Sequence, residues 1–265
     1  MNSVFRALAG AIGLLAAITL SVPAHAGQTT VAVAANFTAA AEEIGKAFET
    51  ASGHKVTYSF GSTGQLFTQI AHGAPFEVFL AADQARPEKA EADGLAVEGT
   101  RFTYATGRLV LWSADANLID GTPDILKDPK LAHVAIANPV TAPYGAAAME
   151  VMEALGLTGT LKPKLVEGKN IAQAYQFVAT GNAPVGFVAF SQVVKDDSGS
   201  RWSIPSDLYT PIRQDAVLLK TGGENEAAKA YLEFLKGEEA RKIIESFGYG
   251  VGPNNSSKSE PYSPK

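Results

Sequence analysis

Short apolar runs alternate along this chain with turns of small residues and with amphipathic segments, the pattern of strands and helices laid down in turn. Residues 30–34 read as a strand, followed by a helix over 38–51 with Ala41, Ile44, Ala47 and Phe48 on one face and Gly53 at its end. Residues 55–60 predict a second strand, 65–72 a short helix stopped by Gly73 and Pro75, and 76–81 a third strand. Further on, 86–93 read as helix, 132–137 as strand, and 145–155 as a helix apolar on most sides, with Glu150 and Glu153 on its wet edge. A helix over 170–179 closed by Gly181, a buried strand over 185–190 and two helices within 227–248 split near Gly237 complete the series. The fold class is α/β.

Two longer β-rich runs, 102–113 interrupted by Gly107 and 212–220, bracket a self-contained α/β segment. The chain is therefore expected to leave one lobe and later return, with a hinge in these two runs and a ligand cleft between the lobes. The expected division is 27–107 and 216–253 for lobe I and 108–215 for lobe II, with a frayed tail rich in Ser, Asn and Pro over 254–265.

Positions 1–26 change the setting. Arg6, the apolar run over 7–20 and Ala24-His25-Ala26 form the three parts of an export signal, with cleavage expected after Ala26. That run is short for a membrane span, so a soluble exported protein is expected. Removal of 26 from 265 residues leaves 239, enough for one large or two smaller lobes, and losing Arg6 takes the net charge from -5 to -6. Mild acidity without a Lys/Arg cluster argues against nucleic acid and against anionic membrane surfaces. With no cysteine, disulfides and thiolate metal sites are excluded.

The candidate chemistry lies in four turns that follow predicted strands: Ala34 to Thr38, Phe60 to Leu66, Asn138 to Gly145 and Gly168 to Ile171. Each opens a helix with small polar residues, uncharged in the first three; Glu167 and Lys169 show that the fourth is not charge-free. A helix start leaves unpaired N–H groups and the positive end of the macrodipole, so it can hold an oxyanion with no cationic side chain. One such turn is an ordinary cap; two in each lobe, at the carboxyl ends of strands, make a pocket. No Asp, Glu, Lys or Arg occurs from Val56 to Phe76 or from Val134 to Met149. Neutral donors suit a fully ionised oxyanion, whereas a protonated one needs a carboxylate to accept its proton. Tyr144, between Pro143 and Gly145, offers a phenol and a backbone N–H.

Enzyme signatures are scarce. Gly61-Ser62-Thr63-Gly64 lacks the spacing of a nucleophile elbow, and His54, His72 and His133 are not paired at metal-ligand spacing. Asp83 reads as a turn cap rather than a catalytic acid.

At these residues the chain resembles the periplasmic molybdate-binding proteins of ABC transporters over nearly all of its mature length. The resemblance rests on Ala34-Ala35-Asn36-Phe37, Gly61-Ser62-Thr63-Gly64, Gly73-Ala74-Pro75 with Val78 to Asp83, Asn138-Pro139 with Ala142-Pro143-Tyr144-Gly145, and Gly186-Phe187-Val188. It implies a two-lobed type II periplasmic binding fold that closes on molybdate or tungstate without chemistry or cofactor. It also implies a monomer that delivers the anion to a membrane permease with its ATPase. By position, Asn36 and Thr63 would bind from lobe I with Ser62 beside them, and Tyr144 and Ile171 from lobe II, Ile171 through its N–H. Some members place a ligand tyrosine after Gly-x-Val, where this chain has Ala189; Tyr144 would supply that hydroxyl. The rival readings are the same fold with sulfate or chromate, and a secreted hydrolase centred on Ser62. An anion-sensing regulatory domain is opposed by the export signal.

Overall fold

A computed structural model describes residues 26–251. The expected tail, and all of the expected signal but its last residue, lie outside the described residues.

The first lobe begins with β1 (Gln28–Ala34), a 3-10 turn (Ala35–Phe37), α1 (Thr38–Ser52), β2 (Lys55–Gly61) and α2 (Thr63–Ala71). It continues through β3 (Val78–Leu80), α3 (Ala85–Ala92) and β4 (Phe102–Gly107). The second lobe holds β5 (Leu109–Ser113), β6 (Val134–Ala137), α4 (Pro143–Ala154), α5 (Thr158–Leu161) and β7 (Leu165–Gly168). It closes with α6 (Ile171–Ala179), β8 (Val185–Ala189), α7 (Phe190–Val193) and β9 (Ser200–Ser203). The chain then returns through β10 (Ile212–Leu218), α8 (Glu226–Lys236) and α9 (Glu238–Ser246).

Two sheets result, ordered β2-β1-β3-β10-β4 and β7-β6-β8-β5-β9. Each has three parallel strands on one side and an antiparallel pair on the other. Parallel strands require helical crossovers, so the starts of α2, α4 and α6 fall at the carboxyl ends of β2, β6 and β7, on the side where such sheets bind ligands. The 3-10 turn does the same after β1.

The amphipathic pattern accounts for the packing. Ala40, Ala41, Ile44 and Phe48 are the buried face of α1, and Phe48 meets Tyr231 edge-on at 5.3 Å and Phe234 at 5.7 Å. Burying a side chain such as Ile44 or Phe48 stabilises the fold by about 1.5–3 kcal/mol. Gly53 ends the helix at φ 73, a left-handed conformation that glycine adopts without a Cβ clash.

The first β-rich run crosses as expected: β4 belongs to one sheet, β5 to the other, with Arg108 alone between them. The second run does not cross. All of β10 lies in the first sheet, where Ile212 pairs with Gly107, so the expected boundary at 215/216 falls inside a strand. The return passes instead through residues 204–211, where Pro205 and Pro211 deprive the backbone of ladder donors. Strand β9, paired with β5 at the sheet edge, had no counterpart in the sequence reading, because Trp202 is the one large apolar residue in Ser-Arg-Trp-Ser.

Candidate functional site

All four turns meet in one small cavity between the lobes, lined by Ala34, Ala35, Asn36, Gly61, Ser62, Thr63, Ala82, Ala142, Pro143, Tyr144, Asn170 and Ile171. Every lining residue is uncharged. The lobes are closed over it: Gly64 N donates to Thr141 O at 2.8 Å, Arg86 Nη2 to Val140 O at 3.1 Å, and Ser191 Oγ to Asn36 O at 3.0 Å. Ala34, Ala35 and Ala82 of the first lobe share an apolar cluster with Ala137, Ala142, Tyr144 and Ile171 of the second.

Apart from Gly64 N of α2, which is taken by Thr141 O, the helix starts leave donors available. Neither the 3-10 turn, α2 nor α4 has a side chain capping its first N–H groups; of the four starts, only that of α6 is capped, by Asn170 Oδ1 accepting from Gln173 N at 3.0 Å. Ser62 occupies the cap position of α2 with extended backbone, yet its buried Oγ has no hydrogen-bond partner. A buried hydroxyl without a partner costs about 1–3 kcal/mol, so an acceptor in the cavity would relieve it.

The five residues expected at the site are together, but their atoms are not equally free. Ile171, the first residue of α6, has one of the helix's unpaired N–H groups at the cavity. Thr63 Oγ1 already accepts from Ala82 N at 3.0 Å, which leaves its proton to donate. The Asn36 carboxamide is engaged behind the cavity, with Nδ2 donating to Gln214 Oε1 at 2.8 Å and to Tyr249 Oη at 3.0 Å. What Asn36 offers the cavity is therefore the N–H of its 3-10 turn. Ala189 ends β8 fully buried opposite Leu109 and does not line the cavity. Asp83 caps its turn, accepting from Arg86 N at 3.0 Å and pairing with the same residue's guanidinium.

Tyr144 is buried, and its Oη accepts from Gln214 Nε2 at 3.3 Å. Burial, reinforced by neighbouring tyrosines, pushes its pKa well above the ordinary value, so the phenol stays a donor. Tyr104 is displaced upward in the same way, and burial also raises Tyr58, Tyr231 and Tyr249. The linkage has a definite sign. In the unfolded chain these phenols ionise near pH 10 while the folded protein keeps their protons, so stability is intact below pH 10 and falls above it. The expected slope is about 1.4 kcal/mol per pH unit for each retained proton. Thermal unfolding followed from pH 8 to 11 checks this, and a midpoint that stays level above pH 10 would contradict it.

None of His54, His72 and His133 lines the cavity. Sequence reasoning missed Gln214 and Tyr249, which hold Asn36 and Tyr144 from behind, and Tyr104, which lies against Gln214. Gln214 sits in a β-rich run far along the chain, between Arg213 and Asp215, where nothing in its immediate neighbours singled it out.

Two lobes of like topology closed over a neutral cavity define an extracellular solute-binding protein, and the chain belongs to the family described as bacterial extracellular solute-binding protein, whose model matches residues 29–250. Within that family its relatives include the molybdate-binding protein ModA of Rhodobacter capsulatus, 61% identical over 241 residues that cover 91% of this chain and 95% of the relative. ModA of Azotobacter vinelandii is 56% identical over 240 residues, 89% of this chain and 95% of that one. Among solved structures, the periplasmic molybdate-binding protein of Azotobacter vinelandii superposes with a TM-score of 0.82 at 39% identity, covering 84% of this chain and 99% of the other. The sulfate-binding protein SubI of Mycobacterium tuberculosis shares the fold alone, at 17% identity and a TM-score of 0.71.

Proposed function

We propose that the protein binds molybdate or tungstate in the cavity between its lobes and hands the anion to an ABC import permease with its ATPase, working as a periplasmic monomer without chemistry of its own. The observation that carries this is the convergence of four helix starts on one cavity lined only by uncharged residues, in which Ser62 Oγ has no partner. The anion would take the N–H groups of Asn36 and Ile171, the hydroxyls of Ser62 and Thr63, and the phenol proton of Tyr144. All are donors, and no carboxylate lines the cavity to accept a proton from a protonated oxyanion. Kinship with the ModA proteins names the metal; the donor set accounts for the charge state. Cross-lobe bonds such as Gly64 to Thr141 exist only when the lobes meet, so a ligand held by both lobes shifts the population toward the closed form. The permease can then tell loaded from empty protein.

Calorimetric titration of the mature protein tests the reading. Molybdate and tungstate should bind at least 100-fold tighter than sulfate or phosphate. Sulfate binding as tight as molybdate would overturn the ligand assignment, and turnover of an ester substrate lost in Ser62→Ala would favour a hydrolase instead. Tyr144→Phe should weaken molybdate by roughly tenfold to a hundredfold, the range for one hydrogen bond to a charged group.

A further inference from the structure

Behind the cavity, Gln214 on β10 is fully buried and makes bonds to both lobes. Its Oε1 accepts from Asn36 Nδ2 at 2.8 Å and lies 3.1 Å from Tyr104 Oη, and its Nε2 donates to Tyr144 Oη at 3.3 Å. The Asn36 amide nitrogen can only donate, so the end of the carboxamide that meets it is the oxygen and the end facing Tyr144 is the amide nitrogen, while the single proton of Tyr104 is shared between Gln214 Oε1 and Ala81 O, both at 3.1 Å. An amide nitrogen donates and cannot accept. The Tyr144 oxygen is therefore an acceptor toward Gln214, and the phenol's own proton has no protein acceptor among the described residues. The junction is spatially built as well: a Cβ on Gly107 would lie 2.1 Å from Tyr144 Oη and 2.7 Å from Gln214 Nε2, so only glycine leaves room for the two to meet.

We propose that Gln214 is a positioning residue for anion binding: its amide turns the Tyr144 proton toward the cavity and ties that phenol to Asn36 in the opposite lobe. This rests on the reading of Tyr144 as an anion donor. A buried carboxamide is costly unless its groups are paired, and here the pairing selects one of two hydrogen-bond directions. An acceptor at position 214 would draw the proton away and leave the anion facing a lone pair.

The test is a double-mutant cycle read by molybdate calorimetry on the mature protein, with thermal unfolding as a check on folding. Gln214→Met retains side-chain length, removes both polar ends and leaves Asn36 Nδ2 with Tyr249 and Tyr104 with Ala81. It should weaken molybdate on the order of tenfold. In a Tyr144→Phe background the same change should alter affinity by less than threefold, because its effect passes through the phenol. If Gln214→Met does not fold, Gln214→Asn, which is too short to reach Tyr144 but still carries the amide, completes the same cycle. Equal losses in both backgrounds, or no loss in the single variant, would show that Gln214 serves only structure and would overturn the inference alone. Unchanged affinity in Tyr144→Phe itself would instead remove Tyr144 from the site, and the inference with it.

Discussion

Ser62→Asp is expected to leave the protein folded, with an unfolding temperature equal to or above that of the parent, while its affinity for molybdate drops by more than 1,000-fold. Ser62 holds the cap position of α2 with its hydroxyl unpartnered, and Asp is as good an N-cap as Ser, with charge that suits the helix dipole. The new carboxylate would occupy the N–H groups that the proposed binding mode assigns to the anion. It would also repel it: two unit charges 4 Å apart near a protein surface interact by about 4 kcal/mol, and a dianion doubles this. Even half of that total is about a 1,000-fold loss. Calorimetry paired with a thermal melt reads both halves of the prediction. Tight molybdate binding by a folded Ser62→Asp protein would mean that the anion does not sit at the start of α2.

Gly145→Ala should do the opposite, removing stability and binding together. Gly145 lies in the first turn of α4 against the end of β6, where an added Cβ would stand 2.1 Å from Ala137 O and 2.8 Å from Ala137 C. These are backbone atoms of a central strand and cannot rotate aside, so α4 must lift. Overpacking of this kind costs about 3 kcal/mol, the upper part of the usual range. For a chain of this size that lowers the melting temperature by about 6–12 °C. Pro143 and Tyr144 move with the helix, so molybdate affinity should fall by at least as much as in Tyr144→Phe. A melt within 2 °C of the parent with unchanged affinity would show that the contact is not the tight one described.

Much of the site was legible because its turns are local. A strand, a small uncharged turn and an apolar-faced helix are read from contiguous residues, and α2 and α4 start only two residues before the predicted ranges. The charge-free stretches around Ser62 and Tyr144 likewise required no three-dimensional information. Gln214 was not legible, since its partners Asn36 and Tyr144 lie 178 and 70 residues away in sequence. The point where the chain returns to the first lobe was misplaced for a related reason. A β-rich run announces a strand, but its choice of sheet depends on which edge is free to pair, and β3 and β4 offered theirs to β10.

The sequence by itself determined the α/β class, the two-lobed path of the chain and the neutral character of the turns around Ser62 and Tyr144, because periodicity, glycine punctuation and missing charge are properties of neighbours along the chain. The tertiary structure alone decided which atoms of those turns remain free. Ser62 Oγ is unpartnered, Thr63 Oγ1 accepts from Ala82 and the Asn36 amide is held by Gln214 and Tyr249. Hydrogen-bond direction is settled by the partners a fold brings within about 3 Å, and in this protein those partners come from both lobes.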